Sequence, residues 1–225
     1  MRKKIIGFAI VLFIIFIGIG MFVYLVKPFE IKSPISNNKN VVKSEKTSTE
    51  NKKLQNNVVK ENKDQVLEAL WENSYAEYNA RNFDKCISIE NQIIAEAPDF
   101  YKAYTYKGIA QCFQGDYSDG FANLDKALQI NPNYDMGRYN KALGLELDAQ
   151  YDKAIAEYQS ALELNKYVWS YYGIASIYGR RGDINNVVKY LSVAINMDSA
   201  VKKVAQDERD FDNVRKYSAF QKLVN

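Results

Sequence analysis

The stretch Gly115-Asp116-Tyr117-Ser118-Asp119-Gly120-Phe121-Ala122-Asn123-Leu124-Asp125-Lys126-Ala127-Leu128 joins a turn to a helix-like run. Its opening triplet returns as Ala149-Gln150-Tyr151 and as Gly182-Asp183-Ile184, at intervals of 34 and 33 residues. A helix-like run follows each return, Ala154 through Leu162 and then Val187 through Ile195. A period in this range marks stacked supersecondary units, none of which can bury its apolar face alone. Aligned on Pro98 and Pro132, the units span 67–100, 101–134, 135–167 and 168–201.

The local chemistry explains the pattern. Gly115 and Gly182 suit the left-handed residue that ends a helix, and the Asp after each can cap the next. Pro132 stops the second helix of its unit. Small residues at Gly108, Ala127, Ala142, Ala154, Ala161, Ala175 and Ala194 allow antiparallel helices to approach closely, with Tyr117, Tyr151 and Tyr158 filling the adjoining gaps. Apolar residues recur at three- and four-residue steps, and no run alternates with period two long enough for a sheet. The expected fold is all-α.

These residues resemble the tetratricopeptide (TPR) repeat, a 34-residue helix-turn-helix unit. The second unit carries Tyr104, Gly108, Gly115, Tyr117, Ala127, Leu128 and Pro132 in register. The third carries Ala142, Tyr151, Ala154, Tyr158, Ala161 and Leu162, with Lys166 where Pro is usual. The fourth carries Ala175, Tyr178, Gly182, Leu191, Ala194 and Ile195 and lacks the Pro. The first matches least, keeping Ser74, Phe83 and Pro98 but placing Glu90 and Ile93 where an aromatic and a small residue are usual. The resemblance implies a right-handed superhelical array of about four units over residues 64–201. Residues 202–225 then form a capping segment, and over Ala200–Asn225 Val201, Val204, Phe211, Val214, Phe220 and Leu223 cover the apolar end that an array otherwise exposes. The run Asp207 through Arg215, with Phe220 and Leu223, resembles the closing segment of many bacterial TPR proteins.

The amino-terminal part differs. Ile5 through Val26 is an apolar run of 22 residues, long enough to cross a bilayer core of roughly 30 Å. It exceeds the apolar region of a signal peptide, and no A-x-A-like site follows. Residues 1–26 are therefore expected to form a single transmembrane anchor. Arg2, Lys3 and Lys4 precede it, and Lys27, Lys32, Lys39 and Lys43 follow. The short charged tail favours a cytoplasmic amino terminus and repeats outside the cell membrane. Residues 27–63 are rich in Asn, Lys, Ser and Glu, a composition expected to give a disordered basic stalk.

Charge separates the two regions. Residues 1–63 carry twelve Lys and Arg against four Asp and Glu, whereas residues 64–225 carry eighteen against twenty-three. The acidic repeat region, with its basic residues dispersed, excludes the usual nucleic-acid footprint. The chain has no His, which removes the commonest general base and metal ligand. It has no Gly-rich phosphate loop, and Asp207 with Asp210 beside Arg209 reads as a surface or capping feature. The reading is a non-enzyme without catalytic residues, cofactor, metal or small-molecule substrate. Cys86 and Cys112 lie in adjacent units, and two thiols do not complete a zinc site. Cys86 takes a position that suits a packed thiol, while a bridge between neighbouring helices stays open.

In TPR proteins the first helix of each unit lines the concave surface. The resemblance thereby implies a groove of Trp71, Tyr75, Tyr78 and Asn79, then Lys102, Thr105 and Ile109, then Tyr139, Leu143 and Glu146, then Tyr172, Ser176 and Arg180. Apart from Lys102, the Lys, Asn and Arg clamp with which some TPR domains hold a terminal carboxylate is missing. An aromatic groove suits an extended peptide. The expected function is a membrane-tethered scaffold for protein-protein interaction in a bacterial cell envelope. A wall glycan stacked on the same rings is the alternative, and a scaffold facing the cytoplasm is a third reading.

Overall fold

The computed structural model describes residues 47–225. The expected anchor at 1–26 and most of the expected stalk lie outside the described residues. The chain divides into two units, Met1–Glu61 and Asn62–Asn225. Helix α1 (Thr47–Asn79) begins inside the stretch expected to be a disordered stalk. Its Lys, Glu, Gln and Leu residues are good helix formers, so propensity can support a helix without an apolar stripe. Among the described residues no helix is long and apolar enough to cross a membrane.

In the second unit, α1 is followed by α2 (Phe83–Glu96), α3 (Tyr101–Gln114), α4 (Tyr117–Ile130), α5 (Asp135–Leu147), α6 (Tyr151–Leu164), α7 (Val168–Arg180) and α8 (Ile184–Met197). Helix α9 (Val201–Asp207), a 3-10 turn (Arg209–Phe211) and α10 (Ser218–Val224) complete it. The described residues contain no strand. Helices α3 and α4, α5 and α6, and α7 and α8 form intimate pairs. Four apolar clusters run along the array and share residues: Trp71 bridges the first two, Phe121 the next two, and Tyr178 and Tyr190 the last two. This continuity lets units stand that are too small to fold alone.

The turns follow the repeat register. Gly115 and Gly182 adopt φ of 86° and 72°, and Asp116 and Asp183 accept from the backbone N–H of Asp119 and Asn186. The equivalent places in the first and third units are held by Arg81 and Ala149, at φ of 62° and 58°. A side chain with a Cβ is strained in that region. Arg81 gains a cation-π contact with Phe83 and Phe113, whereas Ala149 is exposed and gains none.

Within each pair, small residues meet where the helices are closest. A Cβ added to Gly108 would lie 2.6 Å from the Gly120 carbonyl oxygen of α4. Ala142 with Ala154 and Ala175 with Val187 occupy the same places in the next units and are fully buried. One site breaks the apolar rule. Glu90 takes the position held by Leu124, Tyr158 and Leu191 in the other units, and is 0% exposed. Neither of its carboxyl oxygens has a partner among the described residues. Cys86 and Cys112 are free, buried thiols.

The carboxyl-terminal segment closes the array. Val201, Ala205, Phe211, Val214, Phe220 and Val224 are buried against Val187, Leu191, Ala194 and Ile195 of α8. Arg215 holds the segment's own turns together, donating to the carbonyl oxygens of Gln206 and Glu208.

Two substitutions measure these constraints. Ala149→Gly removes the left-handed strain and no contact, so chemical denaturation is expected to show a gain of about 0.5–1 kcal/mol; a loss would contradict the strain. Burial pushes the Glu90 carboxyl up to about 8, so the folded chain holds a proton that the unfolded chain releases. Stability therefore falls as pH rises from the ordinary glutamate range through about 8. Glu90→Leu is expected to stabilise the chain by roughly 2–4 kcal/mol at pH 8.5 and by less at pH 5. A gap independent of pH in paired thermal melts would exclude a buried proton at Glu90.

Candidate functional site on the inner face of the first helices

Helix α3 packs on α5 and α5 on α7, whereas α4, α6 and α8 touch one another less, through side chains such as Gln159, which donates to the Tyr190 hydroxyl at 3.5 Å. The layer with the closer spacing is the inside of the curve. The first helices therefore form the concave face, and two different surfaces share it.

The amino-terminal half is aromatic. Trp71 and Tyr75, one turn apart on α1, lie nearly parallel with centroids 5.7 Å apart. Tyr106 of α3 meets both edge-on, and at 5.3 Å also meets Tyr78. Tyr139 of α5 stands perpendicular to Tyr167, 5.0 Å away in the loop before α7. Rings arranged this way are held by quadrupole geometry as well as burial. Tyr75 remains 41% exposed.

The hydroxyls of Tyr75, Tyr78, Tyr106, Tyr139 and Tyr167 make no hydrogen bond to the described residues. Burial raises Tyr78, Tyr106 and Tyr139 above the ordinary tyrosine range, and each would feel the ionisation of other tyrosines in the cluster. They therefore stay protonated and can donate. Lys102 supplies a cation 4.5 Å above the Trp71 ring, although its Nζ also lies 3.0 Å from Glu68.

The carboxyl-terminal half is polar and covered. Glu146 of α5 accepts from Tyr158 at 2.9 Å and from Ser176 at 3.1 Å. Ser176 also contacts Asp210 of the 3-10 turn. Arg180 pairs with Asp210 at 2.9 Å and lies 3.9 Å from Glu146. Asn213 donates to the Arg180 carbonyl oxygen at 2.7 Å, and Phe211 abuts Tyr172 with centroids 5.8 Å apart. The cap thus occupies this end of the face. Burial is the main reason the Glu146 carboxyl rises to about 7, opposed by Tyr158 and Arg180.

The residues expected to line the groove consequently divide. Trp71, Tyr75, Tyr78, Lys102 and Tyr139 gather at the aromatic end, with Asn79 exposed at the end of α1 and Leu143 half-buried against the α3–α4 core. Thr105 and Ile109 are buried in that core and offer no surface. Glu146, Tyr172, Ser176 and Arg180 face the cap instead of solvent. The expected set omitted Tyr106 and Tyr167, as well as Asp210. Among the described residues, no group of three or more Cys, Asp or Glu could hold a metal ion.

This architecture is the TPR fold. A TPR protein of Thermus thermophilus is similar in structure, with a TM-score of 0.55 and 20% identity over 69% of this chain and 81% of its own. PilF of Pseudomonas aeruginosa gives 0.61 at 12% identity, over 71% of this chain and 74% of its own. A MamA protein gives 0.53 at 15% identity, over 70% and 86%. No family model matches the chain, and no curated protein matches it.

Proposed function

We propose that the chain is a non-catalytic TPR scaffold that binds an extended peptide or protein segment along the Trp71–Tyr75–Tyr106–Tyr139 end of its inner face. The observation that carries this reading is an aromatic surface edged with phenol donors that find no acceptor among the described residues. An extended segment supplies both complements, side chains to lie on the rings and carbonyl oxygens to accept from the hydroxyls. The same rings could stack on a sugar, so a wall glycan is the second reading, favoured by the near-parallel Trp71–Tyr75 pair. The apolar run Ile5–Val26 supports a single-pass tether, and the charges before it favour repeats outside the cell membrane.

Tyr75 is the most informative position because it is exposed and bears little of the fold. Tyr75→Ala is expected to reduce cross-linked partner recovered from cells about tenfold, close to what losing one interface aromatic removes, while the chain still melts cooperatively, lowered only by the lost ring contacts to Trp71 and Tyr106. Undiminished recovery would take the aromatic end out of the function. For the glycan reading, binding of the chain to purified wall material survives protease treatment of that material. Orientation has a separate readout: protease added to intact spheroplasts is expected to remove the repeats, and full protection would place them in the cytoplasm.

A further inference from the structure

The Ser176 hydroxyl touches two carboxyl groups, Oε1 of Glu146 and Oδ2 of Asp210. A hydroxyl has one hydrogen to donate. If both acids were ionised, one of these contacts would set lone pair against lone pair. The arrangement closes when one carboxyl keeps its proton and donates it to the serine oxygen, while the serine donates to the other. We propose that a proton held on Glu146, which donates it to the Ser176 oxygen while Ser176 donates to Asp210, latches the carboxyl-terminal cap to the array, and that losing it loosens residues 201–225.

The charges around the pair leave little else to stabilise two anions. From α6, Tyr158 donates to Glu146. From α7, Arg180 is the cation in contact, and Tyr172 faces the same acids with a buried hydroxyl that has no partner among the described residues. From the cap, Glu208 adds a further carboxyl beside Asp210; from α5 itself, Tyr139 is the neighbouring titratable group. With the proton gone, Glu146 and Asp210 share Arg180 and one serine hydrogen, with Glu208 nearby.

Asp210 is the point where this matters. Its neighbour Phe211 carries the aromatic contact to Tyr172 and the core of the cap, and its own backbone lies where a Cβ on Gly179 would stand, 2.7 Å from the Asp210 oxygen. Displacing Asp210 withdraws the turn from α7 and exposes Tyr172, Ser176 and Arg180, extending the inner face by one unit. Burial that holds Glu146 near 7 sets the direction. The closed cap binds the proton more tightly than the open one, so closure is fullest in acid and weakens as pH rises through about 7. This inference stands on the cap contacts alone and does not depend on what the aromatic end binds.

The test is amide hydrogen exchange on the full chain in mild detergent at pH 5 and pH 8, corrected for the intrinsic rate. The amides of Val214 and Arg215, which donate to the Phe211 carbonyl oxygen, report the cap, and those of α4 serve as reference. Expected is a loss of protection of about tenfold or more at the cap between the two pH values, with α4 little changed. In Glu146→Gln the amide can donate to Ser176 at every pH, so cap protection should be the same at both. Equal protection in the unsubstituted chain, or a parallel fall in Glu146→Gln, would overturn the latch. If circular dichroism shows that Glu146→Gln loses helix, Asp210→Asn decides: it leaves one anion beside Arg180, and a fall as large as in the unsubstituted chain overturns the proposal equally.

Discussion

The structure depends on how closely two antiparallel helices approach within each unit. Gly108 against Gly120 leaves almost nothing between the backbones at the crossing, and Ala142, Ala154, Ala175 and Val187 are fully buried at the same places of the next units. Packing density then fixes what can stand beside the crossing: Leu124, Tyr158 or Leu191 in three units, and Glu90 in the first. Once the pairs are set, their first helices pack on one another more closely than their second helices do. Curvature, and hence an inner face, follows from that asymmetry and needs no further instruction from the chain.

The two halves of that face carry different physics. At the aromatic end, rings satisfy one another edge to face, and burial keeps the phenols protonated, so the surface presents donors without matching acceptors. At the other end, carboxyl groups, Ser176 and Arg180 are turned toward each other by the cap. An array end must be covered to stay soluble, and here the cover reaches past the core of α8 to the groove side of α7. Capping and groove are therefore one surface at this end.

Much of this was legible from the period. The turns at Gly115 and Gly182, their Asp caps and the small residues at the crossings are local requirements, and each has a residue-type signature that repeats. Ala149 and Arg81 show the limit of that signature, since the tertiary register holds them left-handed without glycine. The lining residues were less legible because they were assigned by unit position alone. Thr105 and Ile109 sit where the neighbouring helices close over them, while Tyr106 sits one place along and meets Trp71, Tyr75 and Tyr78 edge-on. Tyr167 belongs to the loop between units, whose path the repeat pattern does not specify.

The contact between Ser176 and Asp210 spans 34 residues, the same interval that separates equivalent places in successive units. Asp210 thus stands where a fifth unit would present its own face to the fourth, and the cap imitates a further repeat with one turn and one carboxyl instead of a helix pair. A helix pair would contribute a broad apolar interface, whose strength is nearly indifferent to pH. A turn held by an acid pair and one arginine buries less and depends on a proton. The smaller closure is therefore also the more responsive one, which makes the end of the array, and not its middle, the place where its surface can change.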